Sequence, residues 1–387
     1  MKAKLLLTTC VLSLVTLTGC WDRKEINDIA ILQLTAFDQM PETGKYRGYV
    51  QIAIPKSIGA GQLTTSGGTQ QKTYMPLMDY GDNIASMTLR MERKLSRDEL
   101  PSHRRIFIVG DYLARHDLSS LLDMISRDPK NRLRTYIVIA RDTDAKSLVE
   151  TEYPLEATKE EALREIIVRK MRAPSMLRDF YVSSAAAGIE PVAAAFSKSE
   201  DGKIQMDSLA LFKKTSLVGY VSDMQAVALI TLLGKKPFGN VNVTIPGQTN
   251  HLSVRVTKIH IARQVRIVNE QPQFTLAIKA SGNIVDNRTA LDTSDPAIME
   301  KLNVSFQEQI TEVFQKLFHT LQKTYQTDSA GLGQTVYRKY PKVWKQIEKK
   351  WPTLYPDVDI QMNVSANIDD MGVQGAPYYL EEDEVSD

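Results

Sequence analysis

The stretch RIFIVGDYLARHDLSSLLDMISRDPKNRLRTYIVIA, residues 105–140, decides the fold class. Arg105 to Gly110 and Thr135 to Ala140 are short, continuously apolar runs, the pattern of strands buried on both faces. Between them, Asp117 stands where a cap is expected. Leu118, Leu121, Leu122 and Ile125 then share one helical face until Asp128-Pro129 ends the run. Strand, helix, strand at this spacing predicts a βαβ-like unit and a partly parallel sheet covered by helices.

Working outward, Asp82 to Leu95 reads as a helix capped by Asp82, with Ile84, Met87, Met91 and Leu95 inward. Tyr49 to Ile54 alternates like a strand, and Ile26 to Phe37 leads into another. Residues 57–72 are rich in Gly, Ser, Thr and Gln and read as a mobile loop. Downstream, residues 155–180 read as helical. Ser183 to Phe196 turns to Ser, Ala, Gly and Pro, the composition of a weakly ordered transition between two halves.

The second half opens with short strands at Leu209 to Lys213 and Leu217 to Val221, and a helix capped by Asp223. Leu252, Val254 and Val256 alternate, and Ile259 and Ile261 resume out of phase, as a β-bulge requires. Phe274 to Ala280 and Val358 to Ile368 keep period two. The strongest helical pattern, about Pro296 to Tyr325, lies between them. The expectation is a multidomain α/β (α+β) fold: mixed sheets flanked by helices, with long antiparallel strands in the C-terminal half. The units expected are 1–19, 20–195 (divisible near 147), 200–373 and an acidic tail, 374–387.

Lys2 and Lys4 followed by an apolar run from Leu5 to Leu17 describe a secretory leader, too short for the roughly 20 residues of a spanning helix. Leu17, Thr18 and Gly19 before Cys20 look like a bacterial lipobox. The expected modification is a diacylglyceryl thioether on Cys20 and an N-acyl chain on its freed amine, because two chains hold stably where one does not. Cys10 lies in the leader, so the mature chain keeps Cys20 alone. That excludes disulfides, thiolate metal sites and a catalytic thiol. The formal charge of +2 falls to about zero without the two leader lysines, which argues against nucleic acid and leaves membrane attachment to lipid.

The five histidines lack metal-binding spacing, and neither a Gly-x-Ser-x-Gly elbow, a dinucleotide fingerprint nor a P-loop occurs. No catalytic residue, metal ligand or cofactor other than the lipid is expected. Trp21, next to the lipidated cysteine, suits an interface. In RKYPKVWKQIEKKW, read as one helix, Val343, Ile347 and Trp351 form an inner face, while Trp344 sits at the flank. Trp351 is expected to pack inward, and Trp344 is the candidate for a partner or membrane contact.

Cys-Trp-Asp-Arg-Lys-Glu-Ile-Asn-Asp (20–28) resembles the mature start of the Ger(x)C family, the lipoprotein C subunits of spore germinant receptors. The segments 89–115, 121–141, 209–234 and 327–372 are similar to further blocks of that family in the same order. Gly331-Leu332-Gly333 departs from its more usual aromatic between the glycines, and 57–72 matches little. The resemblance implies a non-enzymatic role in spore germination. It implies A and B membrane subunits as partners and lipid anchoring on the outer face of the spore inner membrane. The competing reading is an extracytoplasmic solute-binding lipoprotein that holds the nutrient itself.

Overall fold

The computed structural model describes residues 25–370, apart from 55–72, 152, 154, 173–174, 236–238 and 246–249. Cys20, Trp21, the segment 57–72 and the acidic tail lie outside the described residues.

Nine strands build one sheet: β1 (Ile29–Gln39), β2 (Tyr46–Ala53), β3 (Tyr74–Gly81), β4 (Asp98–Leu100), β5 (Ile106–Gly110), β6 (Tyr136–Ala140), β7 (Val192–Lys198), β8 (Ile204–Lys213) and β9 (Ser216–Ser222). The order is β3-β2-β1-β5-β6-β7-β8-β9, with β4 beside the start of β1. The expected βαβ unit lies at its centre, where β1, β5, β6 and β7 run parallel. The pairs β2–β3 and β8–β9 are antiparallel margins.

The central strands are apolar at consecutive positions because helices cover both faces. In chain order these are α1 (Ile84–Glu92), α2 (Asp111–His116), α3 (Leu118–Arg127), α4 (Ala145–Glu150), α5 (Lys159–Glu165) and α6 (Leu177–Ala185). Met87, Leu121, Ile125 and Phe180 pack with Phe107, Val109, Ile137 and Ile139 on one face. Leu148, Val149 and Leu163 pack with Ile106, Ile108 and Val138 on the other.

A second sheet has the order β10 (Asn240–Val243), β11 (Leu252–Val268), β12 (Gln271–Asn287), β13 (Ile360–Asp370). The expected bulge falls between Val256 and Lys258. Two helices, α7 (Asp223–Leu232) and α8 (Pro296–His319), serve this half. Phe306, Ile310, Phe314 and Leu317 of α8 bury the inward residues Phe274, Leu276 and Ile278 of β12. This core is continuous with Ile106, Val138 and Leu209 of the large sheet.

Several local expectations are corrected. Asn83, not Asp82, caps α1, accepting the Ser86 amide at 2.8 Å. Asp117 precedes α3 but turns its carboxylate to the Tyr46 and Ser120 hydroxyls. Asp223 is the first residue of α7, at φ +49°, with Ser222 as the cap position. β13 pairs with β12 in parallel, because the chain between them crosses over through α8. The final turn of that helical pattern, Thr320–Thr324, widens to a π-helix.

The stretch 183–196 is the largest correction. Ser183 to Ala185 end α6, and Val192–Lys198 form β7, hydrogen-bonded to β6 and β8. Small side chains suited a weak linker on composition. Here they permit close approach instead, and Ala193, Ala194, Ala195 and Phe196 have no exposed surface. Described strands from both expected units, 20–195 and 200–373, therefore lie in the nine-stranded sheet.

Candidate functional site: the Asp328 junction

Residues 327–333, TDSAGLG, put three polar side chains in succession into the interior: Thr327, Asp328 and Ser329 are 1%, 4% and 0% exposed. Buried polar groups require partners, and these find them in both halves. Thr327 Oγ1 donates to the Phe212 carbonyl of β8 at 2.6 Å. The Glu190 amide donates to the Asp328 carbonyl at 3.0 Å, and the Gln334 amide to the Gly188 carbonyl at 2.7 Å.

The Asp328 carboxylate organises the start of α9 (Leu332–Lys339). It accepts the Leu332 amide at 2.9 Å, the Gly333 amide at 2.7 Å and Trp351 Nε1 at 3.0 Å. Two glycines are fixed by space. A Cβ on Gly333 would stand 2.6 Å from Trp351 Nε1 and 2.7 Å from the Gly188 Cα. Gly188, at φ +72°, would place its own Cβ 2.3 Å from the Gly333 carbonyl carbon.

The aromatic segment is not one helix. Tyr340-Pro341 breaks it into α9, α10 (Pro341–Ile347) and, beyond the 3-10 turn 348–350, α11 (Trp351–Leu354). Folding back in this way stacks Trp351 on Trp344 edge-to-face at 5.4 Å and brings Tyr355 to 6.0 Å. Trp351 packs inward as expected. Trp344, the candidate contact residue, is corrected: it is 2% exposed, so its ring belongs to the core of the described chain.

Burial pushes the Asp328 carboxyl up to about 6, although the backbone amides and the Trp351 indole pull the other way. Arg263 on β11 donates to the Ala330 carbonyl at 2.7 Å and to the Leu232 carbonyl. Its guanidinium is drawn down by burial and lifted by Asp328. Burial and the same carboxylate raise the Tyr355 phenol well above its ordinary value. The node ties β8, the Gly188 turn, β11 and α9–α11 together. It offers no nucleophile beside a base and is a structural clamp.

Sequence reasoning passed over Asp328, Arg263 and Gly188. Asp328 had a signal: an aspartate four and five residues before Leu332 and Gly333, at the start of a helical run, can accept that run's free amides. Arg263 and Gly188 had none, since their roles depend on tertiary approach.

Two further cavities stand apart from the junction. An open groove of about 310 Å³ is lined by Gln225, Gln315, Lys316, His319 and Thr320. A cavity of about 70 Å³ lies beneath Arg104, whose guanidinium bonds Thr35 Oγ1 at 3.1 Å and lies 3.7 Å over the Phe107 ring. Among the described residues no group of three or more His, Cys, Asp or Glu side chains could hold a metal ion. No described helix is long and apolar enough to cross a membrane.

Two α/β halves that share a nine-stranded sheet and a continuous core, closed by a buried clamp, define the class by fold. Residues 22–198 match the family described as spore germination protein N-terminal domain. Residues 207–372 match spore germination B3/GerAC like, C-terminal. The chain belongs to the Ger(x)C family of spore germination proteins. It is 29% identical over 379 residues to the putative spore germination protein YfkR of Bacillus subtilis (strain 168), covering 94% of this chain and 96% of that protein. Spore germination protein KC of the same organism is 24% identical, with 96% and 97% covered. The crystal structure of the GerBC protein shares the fold, with a TM-score of 0.58 at 18% identity over 87% of this chain and 96% of that one.

Proposed function

We propose that this chain is the lipid-anchored C subunit of a nutrient germinant receptor, acting through assembly and signalling with A and B membrane subunits. The observation that supports this reading is the tandem match to both germination-protein families across 22–372, beginning two residues after Cys20. Diacylglyceryl and N-acyl chains on Cys20 anchor it to the outer face of the spore inner membrane. Each buried methylene contributes about 0.8 kcal/mol, and the near-neutral mature chain has no polybasic block to substitute.

The test is a Cys20→Ala chain expressed with and without A and B subunits, followed by membrane fractionation and a nutrient germination assay. The reading expects release from membranes when the partners are absent, and weakened germination. An alanine chain that stays membrane-bound without the partners would overturn the lipid anchor. Full nutrient response in spores lacking the chain would overturn the receptor role.

A further inference from the structure

The four-stranded sheet ends in β13, an edge strand of 11 residues. Two hydrogen bonds fix which backbone groups face outward. The Asp359 carbonyl accepts the Phe274 amide of β12, so the backbone N–H and C=O groups of the odd residues point toward β12. The Ile368 amide instead donates outward to Asn303 Oδ1 of α8, at 2.7 Å. The N–H and C=O groups of Ile360, Met362, Val364 and Ala366 therefore face away from β12 and have no partner among the described residues.

Unpaired edges are ordinarily blunted by proline, lysine or bulges, and this chain does so elsewhere. Pro76 sits in β3, where Lys94 Nζ donates to the Met78 carbonyl at 3.2 Å and Arg90 to the Tyr80 carbonyl. Past the end of β10, Lys339 Nζ and Tyr340 Oη cover the Val265 carbonyl of β11 at 3.1 and 3.5 Å. Residues 360–366, IQMNVSA, carry no proline, no charge and no break in register. Ile360, Met362 and Val364 are half-buried along this edge, while Gln361, Asn363 and Ser365 are exposed.

We propose that the β13 edge binds an extended segment of a partner protein, which adds a fifth strand along residues 360–366. The chemistry of that segment follows from the edge. It alternates apolar residues with neutral polar ones, and it carries basic residues at both ends. Asp359 precedes the open stretch and Asp369 follows it, each bonded among the described residues only to a neutral side-chain amide, whereas Asp357 is already paired with Lys323 at 2.7 Å. The same charges disfavour a second copy, because antiparallel pairing centred on Val364 would set Asp359 against Asp369. Main-chain bonds supply affinity in such strand addition, and alternate side chains supply selectivity.

The test is site-resolved amide exchange of the full chain in detergent, with the synthetic peptides KKTVTVTVTKK and EETVTVTVTEE as probes. The basic-flanked peptide should slow exchange at Met362 and Val364 by at least about tenfold, and the acidic one should not. Asp359→Lys with Asp369→Lys, both surface changes, should reverse that preference. Val364→Pro, which removes one outward N–H at an edge position that tolerates it, should abolish protection. Three results would overturn the proposal. One is unchanged exchange at millimolar peptide, and another is protection indifferent to flanking charge. The third is protection without peptide, which means a second copy if it depends on concentration and a segment of the same chain if it does not.

Discussion

In the nine-stranded sheet, β5, β6 and β7 are buried at consecutive positions because helices lie on both faces. In the four-stranded sheet, β12 and β13 alternate, with Phe274, Leu276 and Ile278 inward and Gln273, Lys279, Gln361 and Asn363 exposed. The first arrangement leaves no free face on its central strands. The second leaves a solvated face and an edge strand, β13, with no strand neighbour on its outer side among the described residues. The Asp328 clamp fastens one to the other, since it bonds β8 of the first sheet and, through Arg263 and Ala330, β11 of the second.

The clamp is where that contrast can be broken most strongly. Trp351→Ala should cost roughly 3–5 kcal/mol in denaturant unfolding, as for other buried tryptophans, and it also deprives Asp328 of a donor. Trp344→Phe should cost much less than Trp351→Phe, because Trp344 Nε1 meets no acceptor among the described residues. Equal losses for the two phenylalanine variants would remove Asp328 from the centre of the account.

A smaller effect is expected from pH. Burial raises the Asp328 carboxyl to about 6. The native state therefore holds a proton that the unfolded state has already released above the ordinary carboxylate range. Stability from this group is complete below about pH 4. It declines as pH rises towards 6, with a slope no steeper than about 1.4 kcal/mol per pH unit. Unfolding of wild type and Asp328→Asn across this window should differ by that slope. Parallel profiles would show that the carboxyl does not titrate there.

The smallest predicted change sharpens the description of the β13 edge. Asn303→Ala removes the cap on the Ile368 amide and should cost about 1 kcal/mol while quickening exchange at Ile368. Unchanged exchange there would mean that the amide is protected by something else.

Much of this contrast was legible in the residues. RIFIVG and TYIVIA announced strands covered on both faces, and period two from Val358 to Ile368 announced a strand with one wet face. What failed was the reading of small residues. Ala193 to Ala195 looked like linker because composition does not distinguish weak burial from close packing, and β7 became visible only beside β6 and β8. The direction of β13 was equally hidden, since alternation fixes a strand's faces and not its neighbour's polarity. Trp344 was misplaced because helical periodicity was extended through Tyr340-Pro341, where the chain turns.

The central claim is that the halves matched by two separate family descriptions form one unit, joined through β7 and β8 and locked at Asp328. The most direct measurement is calorimetric unfolding of the full chain beside its Asp328→Ala variant. That substitution leaves the Leu332 and Gly333 amides and the Trp351 indole without their acceptor. The account predicts a single cooperative transition that moves to lower temperature as a whole. Two separable transitions, with the variant shifting only the one that reports on β11–β13, would contradict it.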